Sequence, residues 1–388
     1  MFSRESRKKV SFLRVFWGVA CILFIALLIP AVRLFFFDHF GRWLYILIFA
    51  SSTSALLTPL MISTAVRTGI VDTPGGRKIH SRVTPLLGGV AIIISFIAAL
   101  LANMILDARD IILIAGGTVM AVVGLLDDWK NVPARYKLLI QVGVVLVLIR
   151  SGIILDLFPI HTQWGYLLNA FLSIVWIVGL TNAMNFIDGM DGLATGVSAI
   201  ISLFLGIVAF QTSQPFMGWI AIAMLGSCLG FLPFNFSLGK QGQASIFLGD
   251  AGSTFFGFIL SALAIKASWA DHNPIVSFAT PILIFWVLIY DMAYITFERL
   301  INGKVKSFKE WIDYVGTDHI HHRLFAILGD RRKAVLFIFF LCATLGISAI
   351  TLRDATPSDG ILTVIQAFFV TVLVSILEYT GRHRMGEK

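Results

Sequence analysis

Charge is what this sequence has least of. Asp, Glu, Lys and Arg supply 13% of its 388 residues, about half the share of an ordinary soluble domain, whereas 57% are hydrophobic. Mean hydropathy is +0.88. A soluble protein of this length, folded around one or two buried cores, is excluded on composition. Cysteine is scarce as well. Cys21, Cys228 and Cys342 lie inside apolar runs, without CxxC spacing or an extracellular pair, so they read as packing residues and exclude a disulfide framework. No GKS or GKT loop is present, and no dinucleotide fingerprint, so transport driven by ATP hydrolysis is disfavoured. Internal repeats, low-complexity segments and hydrophilic stretches long enough for a separate soluble domain are also missing.

The chain has instead apolar runs of about twenty residues, the length a helix needs to cross a bilayer. Twelve are expected, at 14–37, 43–66, 86–106, 110–126, 137–155, 165–183, 192–210, 215–235, 252–268, 275–297, 334–352 and 360–378. The predicted fold class is therefore an all-α, polytopic membrane helix bundle of about 12 transmembrane helices. The basic opening "MFSRESRKKVSFLR" invites comparison with a signal peptide. The apolar run behind it is too long for an h-region and no convincing cleavage site follows, so an uncleaved anchor helix is expected.

Orientation follows from Lys and Arg. Of the 30 basic residues, only Arg33, Arg42, Arg109, Arg150, Lys266 and Arg353 fall outside the loops that share a side with the N-terminus. This asymmetry predicts that both termini and the polar loops are cytoplasmic. The net charge of +8 belongs to that face and the anionic lipid beside it, so no nucleic-acid partner is expected.

The dense polar stretches all fall on the predicted cytoplasmic side. "TNAMNFIDGMDGLATG" places Asn182, Asn185, Asp188 and Asp191 three residues apart, with Gly189 and Gly192 beside the acids. The spacing suits one helix face followed by a tight turn. Oxygen-only side chains suit a hard ion such as Mg²⁺, and an EF-hand is excluded because the closing Glu is missing. Asp127 and Asp128 end the fourth span, where two adjacent carboxylates oppose the helix dipole, and a divalent cation or a proton would relieve them. Asn131 and Lys137 follow. Asp250, in "IFLGDAGST", sits just before a helix whose first N–H groups can cradle phosphate. "TDHIHHRL" holds His319, His321, His322 and Arg323, with Arg299, Lys304, Lys306 and Lys309 nearby. Anion binding fits these residues best, a bland interfacial basic face less well, and zinc least, since no Cys or HExxH pattern accompanies them. Only Asp291 lies clearly inside a span. Acids gathered at an inner surface suit phosphoryl transfer between a soluble nucleotide and a lipid better than a midplane transport site.

The ordered motifs "DDWKNVPARYK", "NAMNFIDGMDGL", "PFN", "GDAGS" and "HIHHR" resemble those of the polyprenyl-phosphate N-acetylhexosamine-1-phosphate transferases, over about residues 43 to 380. The HIHHR form is similar to the branch that starts O-antigen, teichoic-acid and related polymers with GlcNAc-1-phosphate. The resemblance implies a bacterial inner-membrane enzyme that takes a UDP-N-acetylhexosamine from the cytosol and undecaprenyl phosphate from the inner leaflet. Attack of the lipid phosphate on the β-phosphorus releases UMP. It further implies Asn185 and Asp250 as ligands of Mg²⁺, with Mn²⁺ as a substitute. Asp127, Asp128 and His321 would be catalytic. Lys78, Asn131, Lys137, Asn182, Asp188, Asp191, Arg299, His319, His322 and Arg323 would bind substrate. A homodimer is left open. The chain departs from the family pattern in one place. Residues 1–42 form an extra anchor helix ahead of the 11-helix family core in 43–388. Two alternatives remain at this point: a phospho-MurNAc-pentapeptide transferase, which Ile320 argues against by interrupting the histidines, and a transporter of lipid-linked sugars.

Overall fold

The computed structural model describes residues 4–74, 83–236, 243–267, 269, 274–307, 310, 316, 318–352 and 355–384. Among them are fifteen helices and one two-residue β-ladder. The helices are α1 (Arg4–Leu27), α2 (Pro30–His39), α3 (Arg42–Thr68), α4 (Gly88–Ala102), α5 (Ala108–Lys130), α6 (Ala134–Arg150), α7 (Gln163–Ile187) and α8 (Leu193–Gln211). They continue with α9 (Pro215–Asn235), α10 (Gly249–Lys266), α11 (Pro274–Ile284), α12 (Trp286–Ile301), α13 (Ile320–Leu328), α14 (Arg331–Ile350) and α15 (Pro357–Arg384). This is an all-α, multi-pass membrane bundle.

All twelve expected spans fall on helices, but not all as simple crossings. Among the described residues, seven helices are long and apolar enough to cross by themselves, and up to nine spans result if two bent pairs each count as one. Segment 14–37 breaks between α1 and α2 at 91°. Pro30 has no N–H to continue the helix, and it holds Ile29 in extended backbone (φ −76°, ψ 121°). Segment 275–297 bends by 76° between α11 and α12. The remaining three expected spans lie on α4, α6 and α10, of 15, 17 and 18 residues. At 1.5 Å per residue α4 reaches only about 22 Å, short of a full crossing.

The bundle is organised around α10, which is buried from Ala251 to Ala264 and packs on α4, α5, α7 and α8. Such burial on every side requires close backbone approach, which small residues permit. A Cβ at Gly89 of α4 would lie 2.3 Å from the Gly252 amide nitrogen, and one at Gly124 of α5 would lie 2.4 Å from the Asp250 carbonyl oxygen. A second seam joins α9 to α3, where Gly226 and Gly230 meet the backbone of Leu47 and Ser51. The first helix packs on α3 through Phe24 and Phe49, and the Tyr45 hydroxyl donates to the Leu27 carbonyl (2.9 Å). The ladder pairs Val71–Asp72 with Thr84–Pro85. Phe247 N–H donates to the Pro85 carbonyl (2.8 Å), and Gly89 N–H to that of Leu248 (2.8 Å), so the start of α4 is stitched to the start of α10.

Candidate active site

The acids expected to act together do converge, at the ends of α5, α7 and α10. Asp127 and Asp128 close α5, and each finds a different partner. Asp127 pairs with Lys137 of α6 and accepts from Val132 N–H (2.6 Å). Its carbonyl accepts from the N–H of Asn131, which caps α5 in the left-handed region (φ 51°) and stands exposed. Lys137 Nζ also lies 3.7 Å from Asp250 Oδ2. Asp128 instead accepts from the backbone N–H groups of Asp250 (2.9 Å) and Ala251 (3.3 Å). The positive end of α10 offsets only part of the strain on this acid, because burial and the neighbouring Asp250 push its carboxyl up to about 8. Two of the N–H groups expected to cradle phosphate are already taken by Asp128, which corrects that expectation. The geometry demands glycine at 249: its φ is +76°, and a Cβ would meet Asp128 Oδ2 and the Leu86 carbonyl oxygen, both at 2.6 Å.

Asn185, near the end of α7, reaches α10. Its amide donates to Asp250 Oδ1 and Ser253 Oγ, both at 3.0 Å, which leaves its own carbonyl oxygen for another partner. Asn182 turns elsewhere, donating to Gln141 of α6 and to the Val178 carbonyl, each at 2.8 Å. The three-residue spacing therefore does not carry all four polar residues along one face. The helix ends at Ile187, Asp188 is its cap, and Asp191 in the next turn accepts from Ala244 N–H (2.7 Å). Burial, together with hydrogen bonding to Asp127, pushes the Asp250 carboxyl up to about 7, although Lys137 opposes this. Asp188 is held well above the usual carboxylate range by burial and by the neighbouring Asp250, Asp128 and Asp191. Among the described residues, one lysine, Lys137, stands with the four carboxyl groups of Asp127, Asp128, Asp188 and Asp250.

The histidine motif forms the start of α13 and rests on the same corner. A Cβ at Gly189 would lie 2.3 Å from His321 Nε2, so that ring packs on the Asp188–Gly192 turn. His321 is 1% exposed, and neither ring nitrogen has a hydrogen-bond partner among the described residues. Burial, followed by His322, His319 and Arg323, holds its pKa well below that of free imidazole, so the ring is neutral near pH 7. His319 Nδ1 bonds Asp291 Oδ2 (2.7 Å), and its ring lies between Phe186 (5.3 Å) and His321 (5.9 Å). The His322 ring lies tilted at 41° against His321, with centroids 4.2 Å apart. Ile320, which interrupts the histidines, is fully buried.

Two basic residues expected on substrate are committed to protein carboxylates. Arg299 forms a bidentate pair with Asp318 (2.7 and 2.8 Å), and Arg323 donates to Glu378 (2.8 Å). Lys78 and Lys309 lie outside the described residues. Among the described residues no three His, Cys, Asp or Glu side chains are placed to hold a metal by themselves. Reading the sequence missed Gln141, Ser253, Phe186 and Glu378. A signal existed for two of them: Gln141 and Glu378 are polar residues isolated in apolar runs.

The glycosyl transferase family 4 model matches residues 110–268, which hold the acid cluster. The chain is 33% identical over 336 residues to a Bacillus subtilis (strain 168) protein named as a probable undecaprenyl-phosphate N-acetylglucosaminyl 1-phosphate transferase, covering 85% of this chain and 89% of that one. It is 28% identical to a decaprenyl-phosphate N-acetylglucosaminephosphotransferase of Mycolicibacterium smegmatis, covering 82% and 84%. It is also 28% identical to the undecaprenyl-phosphate alpha-N-acetylglucosaminyl 1-phosphate transferase of Escherichia coli (strain K12), covering 72% and 76%.

Proposed function

This chain belongs to glycosyl transferase family 4, and on that premise we propose that it transfers GlcNAc-1-phosphate from UDP-GlcNAc to undecaprenyl phosphate, releasing UMP. The product, a lipid-diphospho-sugar, starts a cell-envelope polysaccharide. The enzyme works in the bacterial inner membrane, with the site and both termini facing the cytoplasm. One observation carries the reading: Asp127, Asp128, Asp188 and Asp250 gather at the ends of three apolar helices, with Lys137 the one lysine among them in the described residues.

Hard oxygen donors crowded close enough to raise one another's pKa fit Mg²⁺, which takes few protein ligands and completes its shell from water and phosphate. Asp250 and the free carbonyl oxygen of Asn185 would hold it, where it supplies charge neutralisation to the pyrophosphate oxygens. Asp127, steered by Lys137, positions the lipid phosphate or takes its proton. Asp128 holds the start of α10, and through it Asp250, in place. His321 offers a neutral ring, donor at one nitrogen and acceptor at the other, beside the turn that carries Asp188. Preorganised donors of this kind lower the barrier where phosphate oxygens gain charge.

The test is direct. Purified protein is incubated with undecaprenyl phosphate, Mg²⁺ and a panel of UDP-sugars, and the lipid product is identified by mass. Release of UMP with a lipid-diphospho-GlcNAc product is expected. A protein that binds lipid-linked sugar yet releases no UMP from any donor is a transporter, and the reading fails.

A further inference from the structure

The last helix of the bundle carries a buried acid that the reaction does not explain. Glu378, near the end of α15, is 1% exposed and accepts from Arg323 Nε (2.8 Å). Arg323 is itself buried. It donates through Nη1 to the Asp318 carbonyl (2.6 Å), lies 3.5 Å from Asp291 Oδ1, and stacks over the Tyr294 ring at 4.1 Å. Asp291 of α12 spends both oxygens on the histidine motif, Oδ2 on His319 Nδ1 and Oδ1 on the N–H of Ile320 at the start of α13, each at 2.7 Å. One turn before Glu378, Ser375 bonds the hydroxyl of Tyr290, which clamps α15 to α12. A continuous path therefore runs from Glu378 through Arg323 and Asp291 to His319, and by ring contact to His321 and to Phe186, the neighbour of Asn185.

Burying three charges at such a junction costs more than packing it with apolar side chains of the same volume. A purely structural contact between α12, α13 and α15 needs none of them. Charge-assisted bonds do something apolar packing does not: they fix angle and register. We propose that Glu378 is a positioning residue for the histidine loop. It holds Arg323, and through it the Asp291–His319 pair, so that His321 meets the Asp188–Gly192 turn. The proposal rests on the phosphotransferase reading given above.

The experiment uses the full chain in lipid nanodiscs, comparing wild type with Glu378→Gln and Glu378→Asp. Hydrogen–deuterium exchange reads the loop without catalysis, and steady-state kinetics read both substrates. In Glu378→Gln, amides of residues 318–328 should exchange faster while those of α10 do not. The KM for the UDP-sugar should rise with little change for the lipid, and kcat/KM for the sugar nucleotide should fall by roughly tenfold or more, as small misplacements at a reacting centre typically cause. Glu378→Asp keeps the charge on a shorter arm and should lie between. Should Glu378→Gln fail to insert, the same exchange and KM pattern in Glu378→Asp decides the matter. Unchanged exchange at 318–328, or a fall in kcat with both KM values at wild-type levels, overturns the proposal. A wild type that releases no UMP sinks the functional reading instead, and the exchange data still decide whether Glu378 holds the loop.

Discussion

Asp127 and Asp128 are adjacent in the chain and chemically identical, yet the fold gives them different work. Asp127 faces Lys137, and Asp128 closes the N-terminus of α10. Replacing a helix-capping carboxylate with Ala typically costs about 1 kcal/mol. Asp128→Ala should therefore lower the melting temperature of the detergent-purified protein and lose transfer as well. Asp127→Ala should also lose transfer, and because Lys137 and the Val132 N–H lose their partner its melting temperature should fall too. An unchanged melting temperature in Asp128→Ala would contradict its capping role. Asp250→Ala should stop turnover, by a hundredfold or more, while the protein remains folded and inserted, because an oxygen ligand beside the phosphates is lost. Near-normal turnover at ordinary Mg²⁺ removes Asp250 from the site.

At the scale of elements, α10 decides the geometry. Its N-terminus carries Asp250 and Ser253, and its flanks are met by glycines that let α4 and α5 approach to backbone contact. Gly89→Val should reduce the yield of folded protein sharply, since its Cβ would press on the Gly252 backbone and no side chain there can move aside. Gly143→Ala on α6 is the control, because nothing lies within 4 Å of its Cβ. It should fold and turn over normally, and slightly stabilise its helix. Monodispersity in size-exclusion chromatography, scored for both variants, checks the pair. If Gly89→Val behaves as Gly143→Ala does, the close crossing is not needed.

For the whole molecule, the site can work only if its corner of the bundle meets the cytosol. A topology reporter inserted after Lys304 should read cytoplasmic, and one inserted at Asp107, the start of α5, should read external. The two positions reporting the same side would break the proposed arrangement. Helix α1 packs along α3, which is not among the helices whose ends carry the acid cluster. Removing residues 1–40 should therefore leave the KM for the UDP-sugar unchanged, a measurement the transfer assay supplies.

Composition and run length by themselves determined that this is an all-α membrane protein, because a bilayer admits few ways to satisfy a backbone. The motif residues were legible too: Asn185, Asp250, Asp127 and His321 stand out as polar side chains where apolar ones are the rule. Only the tertiary structure decided what each of them touches. Helical spacing suggested that Asn182 and Asn185 work together, but packing sends one to α6 and the other to α10. The basic character of the HIHHR segment suggested free cations, but Arg323 finds Glu378 fifty-five residues along the chain. Nor did hydropathy show that Pro30 breaks the first apolar segment into two helices, since the index counts a residue's transfer cost and not its missing N–H. Periodicity and composition report how a segment meets its solvent. Partners far apart in the chain are chosen by how the helices cross, and at this site the crossing is set by the glycines that flank α10.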